Sequence, residues 1–175
     1  MNDTALIKAA QKGDANAFER LLEQYYDSIF RFAMKWSGNR HDAEDIAQQV
    51  CLKLAQSLAK FRFEAQFSSW LYRIVINTAK DFHSREQRTA TACVATPPAV
   101  DTGAEEAVIL LHQILNKADS WGEGFKESLL LVHGEGLSHA EAAKILQVKE
   151  STISWRLHQV RKKLAAWQSA NRCGD

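Results

Sequence analysis

The residues best suited to chemistry on another molecule lie between Phe61 and Phe82. Six aromatics, Phe61, Phe63, Phe67, Trp70, Tyr72 and Phe82, are interleaved there with Arg62, Arg73 and Lys80. Rings stack on unpaired bases, cations hold phosphates, and an amide such as Asn77 reads a base edge. Trp70, Arg73, Asn77, Lys80 and Asp81 stand three or four residues apart, on one polar side of a helix. Leu71, Ile74, Val75 and Thr78 supply an apolar stripe at helical spacing. Ser68 is expected to cap this helix, its hydroxyl accepting a first-turn amide proton. The same pattern also fits a core helix with snorkelling Arg and Lys side chains.

A second constellation spans residues 138–167. Ser138 and Glu141 have capping-box spacing, and Ala142, Ala143, Ile145 and Leu146 continue a short helix. Gln147-Val148-Lys149 is a turn, and Glu150 to Trp167 a longer helix, apolar at Ile153, Leu157, Val160, Leu164 and Trp167. Two such helices around a short turn predict a helix-turn-helix. Ser151, Thr152, Ser154, Trp155, Arg156, His158 and Gln159 lie near the start of the second helix, where base edges are met in a major groove. Arg161, Lys162 and Lys163 suit phosphate contacts. A plain helical hairpin with a solvated basic face is the alternative.

The elements that must position these groups are helical throughout, so an all-α fold is expected. Residues 4–12 read as a short helix ended by Gly13, with Asp14 capping the next. Phe18, Leu21, Leu22, Tyr25, Ile29, Phe32 and Trp36 follow a helical period. After the turn at Ser37-Gly38-Asn39, Asp42 is expected to cap a helix with Glu44 and Asp45 in its first turn. Ile46, Val50, Leu54 and Leu58 mark its apolar face. Residues 1–88 thus form one small helical domain. Residues 89–104, with Pro97-Pro98, form a flexible linker. Residues 105–175 form the second domain, with a helix near Val108–Leu115, a break at Trp121–Gly124 and a helix from Phe125 to Val132.

The 175 residues carry a net charge of only +1, so whole-chain charge does not identify a polyanion partner. Its distribution says more. Residues 1–88 hold 13 Lys and Arg against 11 Asp and Glu, residues 89–134 hold 2 against 6, and residues 135–175 hold 7 against 4. Two basic ends permit a two-point contact with a long polyanion. Cys51, Cys93 and Cys173 make no paired motif, which fits a reducing cytoplasm and neither a disulfide framework nor a zinc site. No metal, cofactor, signal peptide or membrane span is expected, and the predicted location is cytoplasmic.

Taken together, these motifs resemble the bacterial RNA polymerase sigma factors of the extracytoplasmic-function type, group 4 of the sigma-70 family. The likeness runs through Lys12–Phe18, Asp42–Leu54, Phe61-Arg62 with Phe67–Lys80, Gly136–Leu146 and Ser151–Leu164. It implies a sigma-2-like bundle and a sigma-4-like helix-turn-helix domain, and an initiation subunit rather than an enzyme. It implies core-polymerase binding by Asp42, Glu44, Asp45, Gln48, Gln49 and Leu52. It implies −10 promoter contacts by Phe61, Arg62, Phe63, Trp70, Arg73, Asn77 and Lys80, with the loop 61–66 cradling a flipped base. It implies −35 contacts by Ser151, Thr152, Ser154, Trp155, Arg156, His158, Gln159, Arg161 and Lys162. The implied partners are core RNA polymerase and promoter DNA, with an anti-sigma factor or a protein kinase as regulator and no membrane.

The chain departs from the family pattern at several positions. Gln147 and Phe63 stand where the family often has Gly, and Ser154 and Trp155 where it commonly has Arg or Lys and Ser. Gln49 replaces a usual carboxylate, and residues 46–60 contain no acidic residue. Two readings are open: a latent protein that awaits negative charge, for example a phosphate on Ser57, or a docking face for which Asp42, Glu44 and Asp45 supply enough charge alone.

Three other readings compete. A dimeric helix-turn-helix regulator explains residues 105–175 and leaves the first domain idle. An enzyme lacks a visible Ser-His-Asp set, phosphate loop or paired carboxylates. An adaptor gains little from a basic recognition helix.

Overall fold

The computed structural model describes residues 3–89 and 104–172. The chain divides into two compact units, Met1–Pro98 and Ala99–Asp175. Both are built from helices, and there is no strand among the described residues. Most of the linker expected at 89–104 lies outside the described residues.

The first unit contains α1 (Asp3–Gln11), α2 (Ala15–Ser37), α3 (Arg40–Ser57), a 3₁₀ turn (Leu58–Lys60) and α4 (Phe67–Thr89). Asp14 caps α2, its Oδ1 accepting the Ala17 amide proton at 3.1 Å. Gly38 closes the helix in the left-handed region (φ 82°), its N–H donating to the Met34 carbonyl. A side chain at that φ is strained, and glycine is not. Asn39, not Asp42, caps α3: its Oδ1 accepts the Asp42 amide proton at 2.8 Å. Asp42 instead accepts a bond from Asn39 Nδ2 within the first turn. Either residue type can cap, but the helix starts at Arg40, which puts Asn39 in the capping place. Ser68 does not cap α4 either, because the helix already includes Phe67.

Leu21, Ile29, Phe32, Ile46, Val50, Leu54, Leu71 and Val75 form a buried centre where α2, α3 and α4 meet. Each large apolar side chain removed from water contributes about 1.5–3 kcal/mol. Phe32 is met edge-on by Tyr72 of α4 at 5.7 Å between ring centres. Lys53 and Asp81 tie α3 to α4 at 2.9 Å. Both partners are substantially exposed, so this pair adds little energy and chiefly fixes register.

The second unit contains α5 (Ala104–Ser120), α6 (Phe125–Leu129), a π-helical turn (Leu130–Gly134), α7 (His139–Leu146) and α8 (Glu150–Arg172). The π turn ends in a bond from the Glu135 amide to the Leu130 carbonyl at 2.9 Å. The capping box forms in full: the Glu141 amide donates to Ser138 Oγ, and the Ser138 amide to Glu141 Oε2 at 2.9 Å. Gln147 ends α7 at φ 55°, ψ 41°, so the turn keeps a left-handed conformation although its residue is not glycine. The cost is roughly 1–2 kcal/mol. Ile145, Ile153, Leu157, Val160 and Leu131 are buried. Ala118, Phe125 and Val160 form a cluster, with Trp121, Leu129 and Leu164 packed on it.

Lys126 and Glu127 are 2% and 3% exposed, a pairing of buried charges that periodicity does not signal. Burial pushes the Lys126 ammonium below its ordinary value, against the opposing pull of Asp119 and Glu127. No helix among the described residues is long and apolar enough to cross a membrane.

Candidate nucleic-acid interface

The loop between the 3₁₀ turn and α4 is held by its rings. Phe61 lies 5.4 Å from Phe67 and 5.1 Å from Trp70, so the two ends of the loop are drawn together. Tyr25 of α2 meets Phe67 edge-on at 5.1 Å and braces the same cluster. Sequence reasoning puts Phe61 among the base contacts. In the structure it is 6% exposed and supports the loop from within. Phe63 is 39% exposed, at 4.9 Å from Phe61, with φ 61°. Phe63 and Gln147, the only non-glycine residues with positive φ among the described residues, are the two positions where the resemblance expects glycine.

Arg62 and Asn77 are exposed, and Trp70, Arg73 and Lys80 are half-buried. α4 therefore buries Leu71, Val75, Ile76, Thr78 and Ala79 and leaves an aromatic and cationic set beside the loop. The Thr78 hydroxyl is satisfied by donating to the Ile74 carbonyl at 2.7 Å, which lets it sit in the core.

The start of α3 collects the acidic residues. Glu44 accepts from Arg40 Nε at 2.8 Å, and Asp45 lies 4.0 Å from His41. Asp42 sits in the first turn, at the positive end of the helix dipole, which favours it, whereas Glu44 and Asp45, expected in that turn, fall in the second because the helix starts at Arg40. Further along, Gln48 is exposed, Gln49 is half-buried, and Leu52 is 64% exposed. Cys51 is half-buried and burial pushes its thiol up, so it packs as a small apolar group. Ser57 stands in the last turn of α3, its hydroxyl donating to the Lys53 carbonyl at 2.5 Å. A phosphate there would meet the negative end of the dipole.

In α8, Ile153, Leu157 and Val160 face the core. Ser151, Ser154, Trp155, His158, Arg161, Lys162 and Lys163 are exposed, and Thr152, Arg156 and Gln159 half-exposed. Trp155 is 55% exposed and leans on Phe125 at 5.7 Å. Ser154 Oγ is 2.8 Å from His139 Nδ1, a contact that joins the first turn of α7 to the second turn of α8. Lys163 sits over the Trp121 ring at 5.6 Å, so part of the basic face also packs. The arrangement presents an exposed polar and basic face over an apolar seat.

Sequence reasoning missed the side chains that act across long separations. Gln11 donates to the Leu58 and Phe61 carbonyls, and Lys8 stands 5.5 Å from the Phe63 ring. No local pattern marks either residue.

Comparison with known proteins places both units. The model of Sigma-70 region 2 matches residues 21–89, and that of Sigma-70 region 4 matches residues 126–164. The chain is 30% identical over 166 residues to the ECF RNA polymerase sigma factor SigM of Mycobacterium tuberculosis, covering 94% of this chain and 83% of that protein. It is 27% identical over 184 residues to the RNA polymerase sigma-H factor of Pseudomonas aeruginosa, covering 91% and 90%. Among solved structures, CnrH bound to the cytosolic domain of CnrY has a TM-score of 0.72 at 22% identity, covering 96% of this chain and 97% of that one. The sigma factor RpoE of Bartonella quintana, bound to the anti-sigma factor NepR, has a TM-score of 0.62 at 21% identity, covering 87% and 96%. These two likenesses concern the fold. A dimeric repressor leaves the first unit idle, and the match over that unit stands against it. The two-region match and the relatives along the whole chain make it a member of the extracytoplasmic-function group of sigma-70 factors, initiation subunits that direct RNA polymerase to promoters.

Proposed function

We propose that the two units divide promoter reading by the state of the DNA. The first takes an unpaired −10 base at the loop 61–66, with Arg62, Phe63, Trp70, Arg73, Asn77 and Lys80 around it, and Phe61 setting the shape of the loop. The second reads the −35 duplex with Ser151, Thr152, Ser154, Trp155, Arg156, His158 and Gln159, and pairs phosphates with Arg161 and Lys162. The observation that carries this reading is the exposed Asn77 beside a half-exposed aromatic loop. Unstacking a base costs a few kcal/mol, which ring stacking and an edge-reading amide return.

The first two turns of α3 and its exposed Gln48 and Leu52 dock on core polymerase. Asp42, Glu44 and Asp45 supply the charge, Gln49 lies at the border of the face, and Leu52 supplies the apolar contact. Phosphorylation of Ser57 is not favoured as an activating step, given the dipole at that end of the helix. An anti-sigma protein is the regulator that the NepR complex of RpoE suggests.

Transcription by core polymerase on promoters carrying a pre-melted −10 bubble tests the division. Asn77→Ala is expected to stay impaired on bubble templates, because it reads the exposed base. Arg161→Ala is expected to impair duplex and bubble templates alike. Full activity of Asn77→Ala on both templates contradicts the reading.

A further inference from the structure

We propose that α1, which lies outside the matched region 2, belongs to the promoter-reading surface. Gln11 acts as a positioning residue for the loop 61–66, and the Phe63 ring with the Lys8 ammonium forms a platform for an unpaired base. The proposal rests on reading that loop as the −10 base pocket.

The geometry of α1 is that of a brace. Gln11 Nε2 donates to the Leu58 carbonyl at 2.9 Å and to the Phe61 carbonyl at 2.8 Å. Both protons of one amide are thus spent where the 3₁₀ turn becomes the loop, across 47 and 50 residues of sequence. At the other end of α1, Asp3 accepts from Gln24 Nε2 at 2.8 Å and from the Tyr25 hydroxyl at 2.5 Å. Tyr25 in turn packs on Phe67, the first residue of α4. α1 is therefore tied to the entry of the loop through Gln11 and, through Asp3 and Tyr25, to its exit. Fixing both ends limits the conformations of the six residues between them, as a site that must fit one base requires.

Phe63 is the residue this brace presents. It holds a left-handed backbone that costs a phenylalanine roughly 1–2 kcal/mol relative to glycine. It is nonetheless 39% exposed, so burial of the ring offsets only part of that cost. Lys8, itself exposed, places its Nζ 5.5 Å from the ring centroid. An exposed ring with an adjoining cation is the pair that a nucleotide uses, base on ring and phosphate on ammonium. Arg62 adds a second exposed cation in the same loop, and Glu64 is its one carboxylate.

The test uses holoenzyme assembled from purified core RNA polymerase and the full chain. The probe is a library of promoter fragments randomised through the −10 segment, with base preference at each position read from the transcripts. Phe63→Gly relaxes the backbone and keeps the fold. It is expected to lower affinity for the melted promoter about tenfold, the order of a lost base–aromatic stack, and to blur preference at one position because the loosened loop no longer shapes the pocket for one base. Gln11→Ala is expected to blur preference at that same position and leave the others and core affinity unchanged. Gln11→Glu keeps the size, cannot donate, and is expected to behave as the alanine variant. Lys8→Ala is expected to lower the slope of log affinity against log salt by about 0.7, the value for one single-strand phosphate contact.

Wild-type preference profiles for both Phe63→Gly and Gln11→Ala overturn the proposal, as does an equal loss at every position. Should Gln11→Ala fail to fold by circular dichroism, the Phe63→Gly and Lys8→Ala results decide. Asn77→Ala separates the two levels. If it alters the profile and the α1 and Phe63 variants do not, the brace fails and the base pocket stands. If none of them alters it while transcription persists, the base-pocket reading itself fails.

Discussion

The Arg156 guanidinium lies directly over Gly124, so close that a Cβ added to the glycine would meet its Cζ at 2.3 Å. Arg156 thus packs its head group against the N-terminus of α6 and stays half-exposed on α8. Gly124 also holds φ 85°, where a side chain is strained. Gly124→Ala is expected to displace the flexible arginine and to cost about 1–2 kcal/mol through the backbone. Chemical denaturation of the full chain reads the second effect, and affinity for −35 duplex in holoenzyme reads the first.

Gln147 tests the same backbone rule in the turn between α7 and α8. Gln147→Gly is expected to stabilise the second unit by about 1 kcal/mol, because the turn already holds φ 55°. A shift in denaturation midpoint toward higher denaturant, with promoter selection unchanged, is the expected outcome.

Leu52 is 64% exposed, so its removal has little to unfold. Leu52→Ala is expected to change stability by less than about 0.5 kcal/mol. It is expected to weaken core-polymerase affinity several-fold, measured by fluorescence titration of labelled chain. Ser57→Glu is expected not to raise that affinity, since it adds charge at the unfavourable end of α3.

Asp3 and Glu141 give the stability a pH dependence. The Tyr25 hydroxyl beside Asp3, then Gln24, hold its carboxyl below its ordinary value, and the Ser138 hydroxyl and amide do the same for Glu141. Carboxylates depressed in the folded state contribute stability that is present above their unfolded values and lost as pH falls through the folded ones. Glu141→Gln is expected to lower the thermal midpoint at neutral pH, with the difference from wild type closing as pH drops below the carboxylate range.

Local signals carried much of the fold. The cap at Asp14 and the box at Ser138 and Glu141 were legible because each is decided within four residues. The caps at Asp42 and Ser68 were misplaced because Asn39 also caps well and α4 begins one residue early. The helix-turn-helix was legible from periodicity and charge. Phe61 illustrates the limit: an aromatic in a loop reads as a contact until its neighbours Phe67 and Trp70 are known. Gln11 is less legible still, since its partners lie 47 and 50 residues away and are backbone carbonyls that carry no sequence identity. The buried Lys126 and Glu127 are hidden for the same reason, as their burial is decided by packing rather than by order along the chain.

The most direct measurement is transcription by purified core RNA polymerase on a library of promoter fragments, with and without this chain. Specific start sites that appear only with the chain, share −10 and −35 elements, and are lost with Asn77→Ala or Arg156→Ala are the expected result. No binding to core, together with dimeric binding to duplex DNA alone, would contradict a division of promoter reading between the two units.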